Sequence, residues 1–266
     1  MTSSKCGEDE YALLSEVLIF LISLVAGSLG SMLGLGGGFF IVPALVLFLG
    51  FPMHEAVSLS LASICGIASS SSSSFLIYAK SGTVNFKLGF SLEFFTFLGV
   101  LIGSIFANHL SSSFLEFLFG IVLIYVSFRM IKSPVKYKKN PTSRRTFSFA
   151  FAYFSSFIAG LIASMLGLGG GVLKVPIMTL ILNVPIKMAI GTSELMITIT
   201  SFTATMSYYL QGVGKIYYEL FGLTGGFLGG QLGSRTSLKM KSPLLKKLFA
   251  LVLGCLSVIM LIKATT

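Results

Sequence analysis

The octapeptide SMLGLGGG occurs twice without change, at Ser31–Gly38 and at Ser164–Gly171, and the spacing of 133 residues is half of the 266-residue chain. Around it the copies read GSLGSMLGLGGGFFIVP and GLIASMLGLGGGVLKVP. The match continues: Pro43 answers Pro176, Pro52 answers Pro185, and AVSLS (Ala56 to Ser60) answers AIGTS (Ala189 to Ser193). FLGVLIGS at 97–104 lies over FLGGQLGS at 227–234, so the duplication covers nearly the whole chain. A fold compatible with this sequence is built from two similar halves.

The surroundings of the glycines decide the solvent. Hydrophobic residues make up 54% of the chain and charged residues 11%, against about a quarter in an ordinary soluble protein. Mean hydropathy is +0.92. Apolar stretches at 13–33, 88–108, 114–128, 147–168, 195–214 and 248–262 approach the ~20 residues that a helix needs to cross a bilayer. The sequence predicts an all-α polytopic membrane protein with two homologous five-segment halves, each with a glycine-broken helix and a short half-helix. The segments run roughly 13–34, 38–50, 55–79, 86–108 and 114–132, then 147–167, 171–182, 187–210, 217–235 and 244–262. The short ones, Phe39 to Leu49 and Val172 to Leu182, reach only ~17 Å and cannot span alone. The acidic start, Glu8 to Glu10, is unlike a signal peptide, so the first apolar run is expected to remain in the mature protein.

The net charge of +10 comes largely from two clusters, Arg129 to Arg145 and Arg235 to Lys247. Neither is interleaved with base-stacking aromatics, which argues against nucleic acid as a partner. Short basic loops instead mark the cytoplasmic side. Four segments separate the clusters, which places both on one face, and the odd number in each half makes the halves inverted repeats. The expected domains are a first membrane repeat 1–132, a basic cytoplasmic linker 133–146 and a second repeat 147–266, with the N-terminus and Thr266 outside. Lys80 and Lys87 then fall inside, and Lys215 falls outside against the trend. A re-entrant short segment would change this count.

Within lipid an unwound backbone is tolerated only where protein or a polar cavity satisfies it. Gly36 to Gly38 and Gly169 to Gly171 open the short helices, whose N-terminal amides suit an anion. Duplicated broken helices are the sequence pointer to the binding site of a two-halved transporter. The competing reading is that glycines permit close helix packing, and it is preferred for Gly99, Gly103, Gly225, Gly229 and Gly233. A nucleotide-binding loop is excluded because no strand precedes the motif and no Lys-Ser pair follows.

Charges inside a membrane span point to function. Lys174 follows the second glycine motif, and Glu194 lies in the next segment at a matching depth of ~11 to 12 Å. The two are expected within pairing reach, as a structural ion pair or as a site for an anion or a proton. Neither is duplicated: Ile41 and Leu61 hold the matching positions. Glu93 is a second candidate for protonation, although its distance of six residues from Lys87 reads more simply as a place near the interface. Ser69 to Ser74 either permits packing or lines a wet path, and Arg235 reads as a cytoplasmic anchor. His54 and His109 lie near helix ends without a catalytic partner, and Cys6, Cys65 and Cys255 suit neither disulfides nor zinc. No catalytic residue, metal site or cofactor is indicated.

GLGGGFFIVP followed by PxxxAVSLS, repeated as GLGGGVLKVP and PxxxAIGTS, resembles the sulfite exporter TauE/SafE family of membrane transporters over essentially the whole chain. The resemblance implies secondary transport of small anions such as sulfite, sulfonates or sulfoacetate, with export by alternating access and proton coupling as an option. A passive anion channel and a membrane-embedded enzyme are the alternatives. The expected substrate-binding set is Gly34, Gly36, Gly37, Gly38, Ser58, Ser60, Gly167, Gly169, Gly170, Gly171, Lys174, Thr192, Ser193 and Glu194. SLS in place of GTS makes the first half's hydroxyls the less regular set. The expected location is the cell membrane as a multi-pass protein, with the bilayer and a small anion as partners and no nucleic acid. A homodimer is left open by the sequence.

Overall fold

The computed structural model describes residues 3–33, 35–70, 86–132, 145–182, 184, 186–237 and 242–265. They form helices α1 (Ser3–Leu33), α2 (Gly38–Phe48), α3 (Met53–Ser70), α4 (Phe86–His109), α5 (Ser112–Lys132), α6 (Arg145–Leu166), α7 (Gly171–Pro176), α8 (Ile186–Leu210), α9 (Ile216–Ser237) and α10 (Ser242–Thr265). No strand occurs among the described residues. The serines at 71–74, Lys80, the linker 133–144 and Gly34 lie outside them.

The protein is an all-α polytopic membrane protein. Among the described residues, Leu13–Met32, Phe86–His109 and Phe149–Leu166 are each long and apolar enough to cross a bilayer. Phe94, Phe106, Phe128, Phe202 and Leu232 project from the helix exteriors, where only hydrocarbon could accept so continuous an apolar surface. Inside, Phe39, Ile41, Leu45, Ile64 and Ile197 form one core with side chains of α3, α5, α8 and α10.

Glycines let helices approach backbone to backbone. Gly225, Gly229 and Gly233 of α9 face Phe20, Leu24 and Ser28 of α1, advancing in the same direction along both. Gly99 and Gly103 of α4 face Phe157 and Leu161 of α6 in the same sense. A Cβ at any of these positions would collide with a facing backbone, so the packing reading of these glycines holds. Helix α1 of the first half therefore lies along α9 of the second, and α6 of the second lies along α4 of the first. Gly120 of α5 packs on Ser257 and Leu261 of α10, whereas Gly254 of α10 packs on Ser127 of α5, so these two equivalent helices run antiparallel.

Two local expectations need correction. The first helix begins at Ser3 rather than at residue 13, because its polar opening is also helical. The second short segment is not α-helical throughout: it is α to Pro176 and π-helical over Ile177–Ile181. Pro176 has no N–H to give to the ladder, and Thr179 Oγ1 donates to the Val175 carbonyl at 2.9 Å. The equivalent of Thr179 in α2 is Val46, which has no hydroxyl, and α2 stays regular around Pro43.

Candidate functional site: the paired glycine loops and a buried ion pair

The two glycine motifs follow the same backbone path. Leu35 N–H donates to Gly30 O at 3.1 Å, and Leu168 N–H donates to Ala163 O at 2.9 Å. Gly37 then takes φ 81° and Gly170 φ 82°, left-handed values that side chains rarely adopt, and these residues cap the short helices. Gly37 O accepts from Phe40 and Ile41 N–H at 3.0 and 3.3 Å, and Gly170 O from Leu173 and Lys174 N–H at 3.1 and 2.9 Å. Each chain thus reverses at the glycines and runs back along the helix that preceded it.

The loops meet. Gly38 lies so close to the Gly167 carbonyl that a Cβ there would overlap the oxygen. Ser60 Oγ donates to the same carbonyl at 2.8 Å. A Cβ on Gly36 would fall 3.4 Å from Ile64 and 3.6 Å from Ile197; one on Gly169 would fall 2.8 and 3.5 Å from the same pair. Ile64 and Ile197 are themselves equivalent positions in the duplication, so four matched residues converge on one point. In this conformation the motifs contact each other, and their glycines serve close packing as well as an unwound backbone.

Lys174 is buried beside this point. A Cβ on Gly170 would meet Lys174 Cε at 3.0 Å and Nζ at 3.4 Å, so the amine folds back against the glycine loop. Its Nζ donates to Glu93 Oε2 at 2.8 Å and to Thr200 Oγ1. Thr200 Oγ1 in turn donates to Glu93 Oε1 at 2.5 Å, which closes a ring of three side chains from α7, α4 and α8. The expected pairing of Lys174 with Glu194 is therefore corrected: the partner is Glu93, which is buried within the protein (3% exposed). The partner is set by direction around the helix, which residue counting alone does not give. Glu194 and Thr200 are six residues apart, about 240° around α8. The signal that could have found the pair is their count: Glu93 and Lys174 are opposite unduplicated charges within long apolar runs.

The ring has no counterpart. The repeat places Ile41, Ile67 and Leu223 at the positions of Lys174, Thr200 and Glu93, and Ile41 and Ile67 are fully buried.

The remaining expected side chains lie outside this ring. Ser58 Oγ donates to Glu219 Oε1 at 2.6 Å, away from the glycines. Thr192 borders Gly89 of α4. Glu194 Oε2 and Ser193 Oγ are buried without a hydrogen-bond partner, on consecutive residues of α8. Glu219, missed by sequence reasoning, is buried and lines a cavity of ≈ 290 Å³ with Cys65, Thr205, Met206, Tyr209 and Leu223. Glu55 pairs with Lys215, the lysine expected outside against the trend, at 2.8 Å.

An all-α protein with a lipid-compatible exterior, two unwound glycine loops joined at its core and a buried ion pair beside them belongs to the class of polytopic membrane transporters. The sulfite exporter TauE/SafE family model matches residues 19–260, and the chain belongs to that family. It is 30% identical to the probable membrane transporter protein YunE of Bacillus subtilis over 91% of this chain and 97% of that protein. A probable membrane transporter protein of Methanocaldococcus jannaschii is 28% identical over 96% and 98% of the two chains. One from Haemophilus influenzae is 27% identical over 93% and 98%. No solved structure matches the chain.

Proposed function

We propose that this membrane transporter is a secondary carrier of small anions, of the sulfite, sulfonate or sulfoacetate type, that exports them by alternating access. The observation that carries this reading is the convergence of the two glycine loops with Lys174 folded against Gly170. An unwound backbone and one cationic side chain then share a place in the core, and that combination suits a small oxyanion. The substrate-binding set is the glycines of both loops with Ser60, Lys174, Ser193 and Glu194; the orphaned Ser193 Oγ supplies a donor for the substrate. Contact between the loops corresponds to a closed state, and binding requires them to part.

The halves, 1–132 and 147–266, are inverted repeats joined by a cytoplasmic basic linker. Antiparallel packing of α5 on α10, and the reciprocal pairing of α1 with α9 and α4 with α6, support a two-fold axis lying in the membrane plane. The short helix of each half completes a crossing together with the unwound stretch before it. A location in the cell membrane with the N-terminus outside follows from the positive-inside rule. The family match and the relatives' names favour transport over enzymatic chemistry.

Counterflow in proteoliposomes tests the reading. Internal sulfite or sulfonate is expected to stimulate uptake of labelled external substrate, as a carrier requires. Uptake without such stimulation would define a channel, and no uptake of any of these anions would reject the substrate class.

A further inference from the structure

We propose that Glu93 is the proton site of this carrier, and that an anion and a proton bind together because the anion takes the place of Glu93 as the partner of Lys174. The inference rests on the anion-carrier reading above and adds the coupled ion, its residue and its stoichiometry.

The argument begins with charge. Lys174 is the buried cation at the glycine loops, but both of its observed contacts are occupied, one by the Glu93 carboxylate and one by Thr200. An anion that entered beside an intact Lys174–Glu93 pair would add an uncompensated charge to the membrane interior, which is costly. A proton removes that obstacle. With Glu93 neutral, Lys174 and the anion form the ion pair, and the Lys174–Glu93 pair carries no net charge either empty (ammonium and carboxylate) or loaded (ammonium, anion and carboxylic acid). One proton moves onto a Glu93 oxygen for each monovalent anion bound, and it leaves when the anion leaves. Thr200 accommodates both states, since its hydroxyl donates to the carboxylate and is able to accept from the acid.

The surroundings of Glu93 leave this role to it. Among the described residues Lys174 is the charged group that acts on it, and Thr200 is its hydroxyl partner. From α6, Tyr153 stacks on Phe95 with ring centroids 4.7 Å apart. Glu194, also on α8, has an oxygen with no hydrogen bond and is not part of the ring. In the other half, buried Ile41 and Ile67 hold the positions of Lys174 and Thr200, whereas Leu223, at the position of Glu93, is 37% exposed, so hydrocarbon packs two of the three matching positions without an ion pair. A buried ion pair that hydrocarbon can replace is weak as a stabilising device, so a use in transport explains its presence better than a use in folding.

Because proton and anion share the loaded state, they cross in the same direction, and transport of a monovalent anion is electroneutral. Efflux from a vesicle is then expected to acidify the outside.

The test uses the full-length chain in detergent with isethionate, a sulfonate that stays ionised across the pH range, measured by titration calorimetry. In buffers of different ionisation enthalpy, the wild-type protein is expected to take up about one proton per anion at alkaline pH, with Kd rising about tenfold per pH unit there. Glu93→Gln is expected to bind with the low-pH affinity at every pH and without proton uptake. Lys174→Gln is expected to bind at least tenfold more weakly throughout. The wild-type proton count stands without any variant, so a misfolded Glu93→Gln does not protect the proposal. Binding by the wild type with a flat Kd and no proton uptake would overturn the coupling and leave the anion carrier in place. Failure of isethionate, sulfite and sulfoacetate all to bind at any pH would overturn the carrier reading and this proposal with it.

Discussion

Ser60 Oγ donates to the carbonyl oxygen of Gly167 at 2.8 Å, so a hydroxyl of the first half satisfies the unwound loop of the second. Its equivalent, Ser193, has a buried hydroxyl with no partner. The duplication thus supplies two hydroxyls, one structural and one free.

That difference is measurable. Ser60→Ala leaves a buried carbonyl unsatisfied and is expected to cost about 1 to 3 kcal/mol, whereas Ser193→Ala removes a group that bonds nothing and should cost little. Thermal melts with and without sulfonate check both. Ser193→Ala is expected to keep its melting temperature while losing substrate-induced stabilisation; equal destabilisation of the two variants would contradict the assignment.

Valine at Gly37 or Gly170 is expected to abolish transport while membrane insertion continues. Each position has a φ near 80°, where a β-branched residue is strained by about 1 to 3 kcal/mol. A Cβ on Gly37 would also come within 2.8 Å of Ala26 O, and one on Gly170 within 3.0 Å of Lys174 Cε. Liposome flux on variants shown to be monodisperse is the measurement, and near-normal flux in both would remove the loops from the site.

Removal of one member of the Lys174–Glu93 pair strands a buried charge, with a cost of about 3 to 5 kcal/mol expected for Lys174→Gln or for Glu93→Ala. The triple change Lys174→Ile, Glu93→Leu and Thr200→Ile copies the other half. It is expected to recover most of the stability and to remain inactive. Recovery of both stability and flux would show the ring to be dispensable.

Single cysteines at Ser3 and Ser143 are expected to react with an impermeant maleimide from opposite sides of the membrane, as the inverted arrangement requires. Labelling of both from one face would exclude it.

The local features were legible in the sequence because local physics sets them. Composition dictated the bilayer, and the repeated SMLGLGGG dictated two matching backbone reversals, since Gly37 and Gly170 occupy conformations that other residues avoid. The four-residue spacing of Gly225, Gly229 and Gly233 likewise announced a close helix contact, although not its partner α1. The tertiary structure decided the rest. That Lys174 meets Glu93 across 81 positions of chain, that Ser58 turns to Glu219 and that Glu194 stands apart all depend on how the halves interlock. Depth in the membrane follows from counting residues at 1.5 Å each, but the direction a side chain takes around its helix acquires a partner only when the neighbouring helices are in place.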